Sequence, residues 1–289
     1  MTEPADKRIL GLSPRARRFV FPFLAIAAVI IAIGYFSSKG SDDSSGSGTG
    51  PVVGGDLHAV DDLGSRLFVG GHDGAGYRAR VGGWTQIDTL EEKDVMGWAA
   101  TGTMILAGGH AGLYASTDDG STFGLVDGLP VADVHALGAS GDVVYLASPE
   151  TGTLVSTDGG KTFEPRSPAG QEFMGTIWVD RTDADVAVAS SMREGAVRTT
   201  DGGASWTPLG SASGSMAVAV DKTGSRLLAI GMDGAQLSTD GGMSWAALDV
   251  PGGTSAGSYT STGHLVVAAL DGTRAILYKQ DGSTWDPIT

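Results

Sequence analysis

The chain contains no cysteine among its 289 residues. That excludes disulfides, thiolate metal sites, cysteine nucleophiles and the lipidation box that needs a cysteine. Basic residues are also few: 19 Lys and Arg stand against 33 Asp and Glu, for a formal net charge of −14. An anionic chain lacks the basic patch that DNA or RNA requires, so nucleic acid is excluded as a partner. The deficit deepens along the chain. Lys7, Arg8, Arg15, Arg17, Arg18 and Lys39 all precede Val52, with only four acids among them, so the part from Val52 onward carries −16. A nucleophile elbow, a P-loop, an HExxH helix and a dinucleotide fingerprint are all missing. Proline is scarce at 11 residues, whereas glycine is abundant at 46. With 41% hydrophobic residues the chain is neither collagen-like nor disordered, and so much glycine predicts many tight turns between short strands.

Residues 19–36 (FVFPFLAIAAVIIAIGYF) form an uncharged run of 18 residues. A helix of that length reaches about 27 Å, close to the thickness of a bilayer core. Five basic residues precede it, which places the N-terminus in the cytoplasm and the remainder outside. The expected organisation is a cytoplasmic basic segment at 1–18, a transmembrane signal-anchor at 19–36 and a flexible Gly/Ser linker at 37–51. The alternative is a secretory signal cleaved near Ala32 and Gly34, which would release the protein.

The remainder, 52–289, is repetitive. STDDGSTF at 116–123, STDGGKTF at 156–163, TTDGGASW at 199–206 and STDGGMSW at 238–245 align closely, with decayed copies ending at Trp285 and Trp84. Successive central aspartates (Asp118, Asp158, Asp201, Asp240, Asp281) stand 40, 43, 39 and 41 residues apart. A period near 40 with several short strands per unit predicts a propeller of four-stranded blades. In the second unit, strand-like runs fall at 95–101, 104–107, 112–116 and 123–126. The expected fold is all-β: a six-bladed β-propeller preceded by one transmembrane helix.

The repeated element resembles the Asp-box, or BNR repeat, of sialidases, sortilin-type receptor domains and photosystem II assembly propellers. More closely, the chain resembles exported bacterial Asp-box proteins that carry a glycosyl hydrolase label. The resemblance implies that the boxes are structural, on hairpins between the third and fourth strands, opposite the ligand face. It also implies three candidate roles: a glycoside hydrolase of sialidase-like type, a carbohydrate binder, or a scaffold for assembling membrane complexes. A sialidase needs an arginine cluster and a Phe-Arg-Ile-Pro motif. Here Tyr77-Arg78-Ala79-Arg80 stands in that place, and three arginines do not assemble on the ligand face.

That face receives the start of each first strand and the hairpin between the second and third. The strand starts DLHAV, DVMGW, DVHAL, EFMGT and GSMAV put His58, Met96, His135, Met174 and Met216 at one equivalent position. The hairpins GGHDG, GGHAG, ASPET, SSMRE and IGMDG put His72, His110, Pro149, Met192 and Met232 at another. Imidazole and thioether together are the donors expected for copper, Cu(I) above all, in a protein without cysteine. These nine His and Met residues are the metal candidates. The plainer alternative is that methionine fills a tapered core. A second ring, Asp56, Asp94, Asp133 and Glu172, lies two residues upstream of the strand-start positions. It offers a cation-attracting mouth, or the paired carboxylates of a glycosidase, or simply caps for turns.

Overall fold

In the computed structural model, residues 50–288 are described. The basic segment 1–18, the span 19–36 and most of the linker 37–51 lie outside the described residues. Among the described residues, no helix is long and apolar enough to cross a membrane.

The described chain is all-β apart from one 3₁₀ turn at Asp88–Leu90. Each repeat folds as an antiparallel four-stranded meander. The first comprises Leu57–Leu63, Arg66–Gly71, Gly74–Ala79 and Trp84–Gln86; the second comprises Gly97–Ala100, Ile105–Gly109, Gly112–Ser116 and Gly124–Leu125. Among the described residues there are four sheets of four strands and one of eight. The eight-stranded sheet arises because the first strand of one meander, Phe173–Val179, pairs in parallel with that of the preceding one, Ala136–Ser140. The Gly175 N–H donates to the His135 carbonyl at 2.9 Å in this junction.

The first strands of successive meanders contact one another in chain order, and the last, Thr254–Tyr259, contacts the first. Side chains fasten that closure. Ser255 Oγ donates to the Leu57 carbonyl at 2.7 Å, and the Ser261 N–H donates to Asp62 Oδ2 at 2.8 Å. The segment before the first strand is stitched to the last meander as well, by the Val53 N–H to the Thr273 carbonyl and the Ala275 N–H to the Pro51 carbonyl.

Both faces of most sheets are covered by neighbouring sheets, so middle strands read as continuous apolar runs rather than alternating ones. Val143–Ser148 (VVYLAS) is buried along nearly its whole length. Between the first two sheets, Trp98 packs against Phe68 and Phe123 at centroid distances of 5.1 and 5.9 Å.

The four well-kept repeats form one kind of turn, between the third and fourth strands. At the first, Ser116 Oγ donates to Asp118 Oδ1 at 2.7 Å and accepts from the Gly120 N–H at 2.9 Å. Asp118 also accepts from the Thr122 N–H and hydroxyl at 2.9 and 2.6 Å. Hydrogen bonds from the hydroxyls at 122, 162, 205 and 244 lead in holding Asp118, Asp158, Asp201 and Asp240 below the usual carboxylate range. Gly120 has φ +78°, and a Cβ there would collide with the Phe68 ring of the preceding sheet. In an antiparallel meander these turns fall at the end opposite the starts of the first strands.

At that same end, a cavity of about 390 Å³ opens between the first strands, lined by Asp61, Thr176, Val218 and Ser258 among others. Burial pushes the Asp61 carboxyl up to about 7, against the hydrogen bond it accepts from Ser258.

Two predictions follow from this packing. Gly120→Ala forces a strained backbone against Phe68 and should cost about 1–3 kcal/mol in denaturant unfolding. Gly124→Ala, with open space around its Cβ, should cost far less. For Asp61 the folded pKa lies above the unfolded one, so the unfolded chain alone sheds this proton as pH rises from about 4 to 7. Stability is therefore lost over that window. Asp61→Asn should raise the melting temperature at pH 8, and the gain should shrink towards pH 4.

Candidate functional site

The site lies at the end where the first strands start. It is built by a crossing between neighbouring meanders. The hairpin Gly70-Gly71-His72 of the first meander is crossed by the chain entering the second, where the Val95 N–H donates to the Gly71 carbonyl at 2.9 Å. One meander on, the hairpin Gly108-Gly109-His110 is crossed in the same way, with the Val134 N–H donating to the Gly109 carbonyl at 3.1 Å. Glycine is needed for so close an approach: a Cβ on Gly70 would strike Val95, and one on Gly108 would strike Val134. The crossing lays the carboxylate of one meander over the imidazole of the meander before it.

Two three-residue groups result. His58, His72 and Asp94 offer donor atoms that all lie within 4.8 Å of one another, and so do His110, Asp133 and His135. Asp94 connects them. Its Oδ1 is 3.3 Å from His58 Nε2 and its Oδ2 is 2.7 Å from His110 Nδ1. In the second group, His135 Nε2 is 3.2 Å from Asp133 Oδ2. The His110 and His135 rings stand 5.1 Å apart, and those of His58 and His72 6.4 Å.

These approaches are close but lack the alignment of hydrogen bonds. His58 Nε2, both Asp94 oxygens, Asp133 Oδ1 and His135 Nε2 are buried without a hydrogen-bond partner. Asp94 and His135 are only 8% and 6% exposed. Buried polar atoms without partners are costly, and here five of them gather in one place.

The electrostatics agree with a shared anion. Burial alone would raise Asp94, but His110 and His58 outweigh it and hold the carboxyl well below its usual range. Burial pulls His58 down, and Asp94, with Asp56 behind it, more than offsets that, so the imidazole is raised. Contact with Asp94 also raises His110.

The remaining candidates lie elsewhere on this face. His58, Met96, Met174 and Met216 line a central gap of about 10 Å³. Met192 is half-buried, and its N–H donates to the Glu172 carbonyl. Met232 is 63% exposed and borders a different groove, with Met216, Val250 and Thr254. The Glu172 carboxylate is occupied by Arg193, whose Nε donates to Oε2 at 2.8 Å. Asp56 meets His72 through its backbone carbonyl, at 3.0 Å. The nine His and Met candidates therefore do not converge on one centre. Four imidazoles instead meet two carboxylates from the acidic ring, and three thioethers gather beside them.

The sequence matches no protein-family model and no curated protein. Among solved structures, it is similar to the GH74 xyloglucanase of Xanthomonas campestris, with TM-score 0.58 and 15% identity over 84% of this chain. It is similar to the GH74 enzyme of Niastella koreensis, with TM-score 0.54 and 21% identity over 76% of this chain. It also resembles the WD40 β-propeller domain of Doa1, with TM-score 0.55 and 14% identity, covering 81% of this chain and 82% of that one. The chain spans only 46% and 36% of the two GH74 enzymes. At these identities the likeness concerns the fold, which is a β-propeller.

Asp94 is the residue on which the site's charge balance rests. An imidazole whose pKa is raised by folding contributes stability below about pH 6.5, and the contribution fades as pH rises through its folded value. In the chelator-treated protein, Asp94→Asn should therefore cost about 1–3 kcal/mol near pH 6 and clearly less at pH 9. Denaturant titrations at the two pH values measure the difference.

Proposed function

We propose that the chain is a six-bladed Asp-box propeller, tethered outside the cytoplasm by the span at 19–36, which binds a divalent transition-metal ion on the face where its first strands start. The observation that carries the reading is the pair of His/Asp groups whose buried nitrogens and carboxylate oxygens converge within 4.8 Å without aligned hydrogen bonds. Tetrahedral Zn(II) with metal–nitrogen bonds of 2.0–2.1 Å holds its ligands about 3.3 Å apart. The donor spacings within each group, from 3.2 Å to no more than 4.8 Å, need only small side-chain adjustments to match. Mixed imidazole and carboxylate donors suit Zn(II), Ni(II) or Mn(II) better than Cu(I). The net charge of the body favours the approach of cations.

A second reading keeps copper. Met96, Met174 and Met216 share a small gap with His58, and three thioethers with one imidazole are a Cu(I) donor set. The hydrolase reading draws less support. A general acid must hold a proton, whereas Asp94 is kept ionised between two imidazoles and Glu172 is paired with Arg193. A docking role in a membrane complex rests on fold analogy, which is weak warrant.

The test titrates the full chain in detergent, freed of metal by chelation, with Zn(II) and separately with Cu(I) against competing chelators. The His/Asp reading expects His110→Ala to weaken Zn(II) by at least about 10-fold and Met174→Leu to leave it unchanged. Copper in the methionine gap expects the reverse pattern for Cu(I). Absence of tight binding by either ion would end the metal reading.

A further inference from the structure

Resting on that metal-binding reading, we infer that the centre takes two ions, one in each His/Asp group, with the Asp94 carboxylate bridging them. Three observations carry this. The groups share no residue, and each supplies three protein donors; the bridging Asp94 oxygen adds a fourth to the second group, so the open position of a zinc site with three protein ligands belongs to the first alone. Asp94 faces both: one oxygen approaches His58 of the first group and the other approaches His110 of the second. A carboxylate used in that manner holds two ions at the separation of about 3.5–4 Å typical of two-metal sites.

The third observation is the distribution of buried atoms that lack an aligned hydrogen bond. His58 Nε2 belongs to the first group, Asp133 Oδ1 and His135 Nε2 to the second, and the Asp94 oxygens stand between. One ion would satisfy one group and leave the buried donors of the other without aligned bonds. Two ions satisfy both. The repeat explains why there are two sites and not more: the Gly-Gly-His hairpin followed by an aspartate at the next crossing occurs in the first two meanders, whereas later hairpins carry Pro149, Met192 and Met232.

Charge is balanced as well. Two divalent cations meet Asp94 and Asp133 directly, with Asp56 close enough to act on His58. With these three carboxylates about one positive charge is left over, which a hydroxide at the open position would offset.

The experiment loads the full chain with Zn(II), removes loose metal by gel filtration and measures zinc per chain by elemental analysis. Two ions are expected. His72 and His110 are exposed, so His72→Ala and His110→Ala leave the core intact, and each should lower the content towards one. A chain loaded with Mn(II) should give the exchange-coupled spin-resonance signal of a bridged pair. One ion per chain, or two whose content neither variant changes, would overturn the two-ion centre while leaving metal binding standing. Two uncoupled Mn(II) signals would remove the bridge. No bound ion would remove this inference together with the reading beneath it.

Discussion

The crossing of each second-to-third-strand hairpin by the chain entering the next meander governs the chemistry of this molecule. It is a backbone contact, fixed by the Val95 and Val134 N–H groups on the Gly71 and Gly109 carbonyls. Its closeness depends on glycines that leave room for a second chain. Because the crossing joins two repeats, residues that are far apart in the periodic pattern become neighbours. His72 and Asp94, and likewise His110 and Asp133, meet for this reason alone. A side chain at Gly70 or Gly108 would push away Val95 or Val134, and with it the carboxylate of the entering chain.

Much of the architecture is legible in the sequence because it is local. The S/T-x-D-x-G turn closes on itself within eight residues through bonds such as Ser156 Oγ to Asp158 Oδ1, so the pattern and the structure coincide. In the second repeat, the expected runs at 104–107 and 112–116 lie on strands at Ile105–Gly109 and Gly112–Ser116. The outermost strand there is only Gly124–Leu125, shorter than its sequence run, because an outer edge has a partner on one side only.

The site was legible by position but not by partnership. Alignment of the repeats places His58, His72, His110 and His135 on one face and the acids two residues upstream of the strand-start positions. It treats them as separate rings, since a period compares equivalent positions within repeats and says nothing of contacts between unlike positions of neighbouring ones. The signal that links them is the Gly-Gly pair before His72 and before His110, found in only the first two repeats. Asp61 is a different case. Its surroundings come from several meanders at once, so no run of sequence marks it as a carboxyl that holds its proton near neutrality.

The turn aspartates at the far end bear on how the protein behaves in acid. Ordinary surface carboxylates neutralise near pH 4, whereas Asp118, Asp158, Asp201 and Asp240 are held ionised below that by their own loops. As a medium sours, the molecule's anionic character therefore does not fade evenly. It persists on a rim of turn aspartates at one pole, while at the other the ionised Asp94 is matched by the imidazoles of His58 and His110, so the particle becomes electrically lopsided.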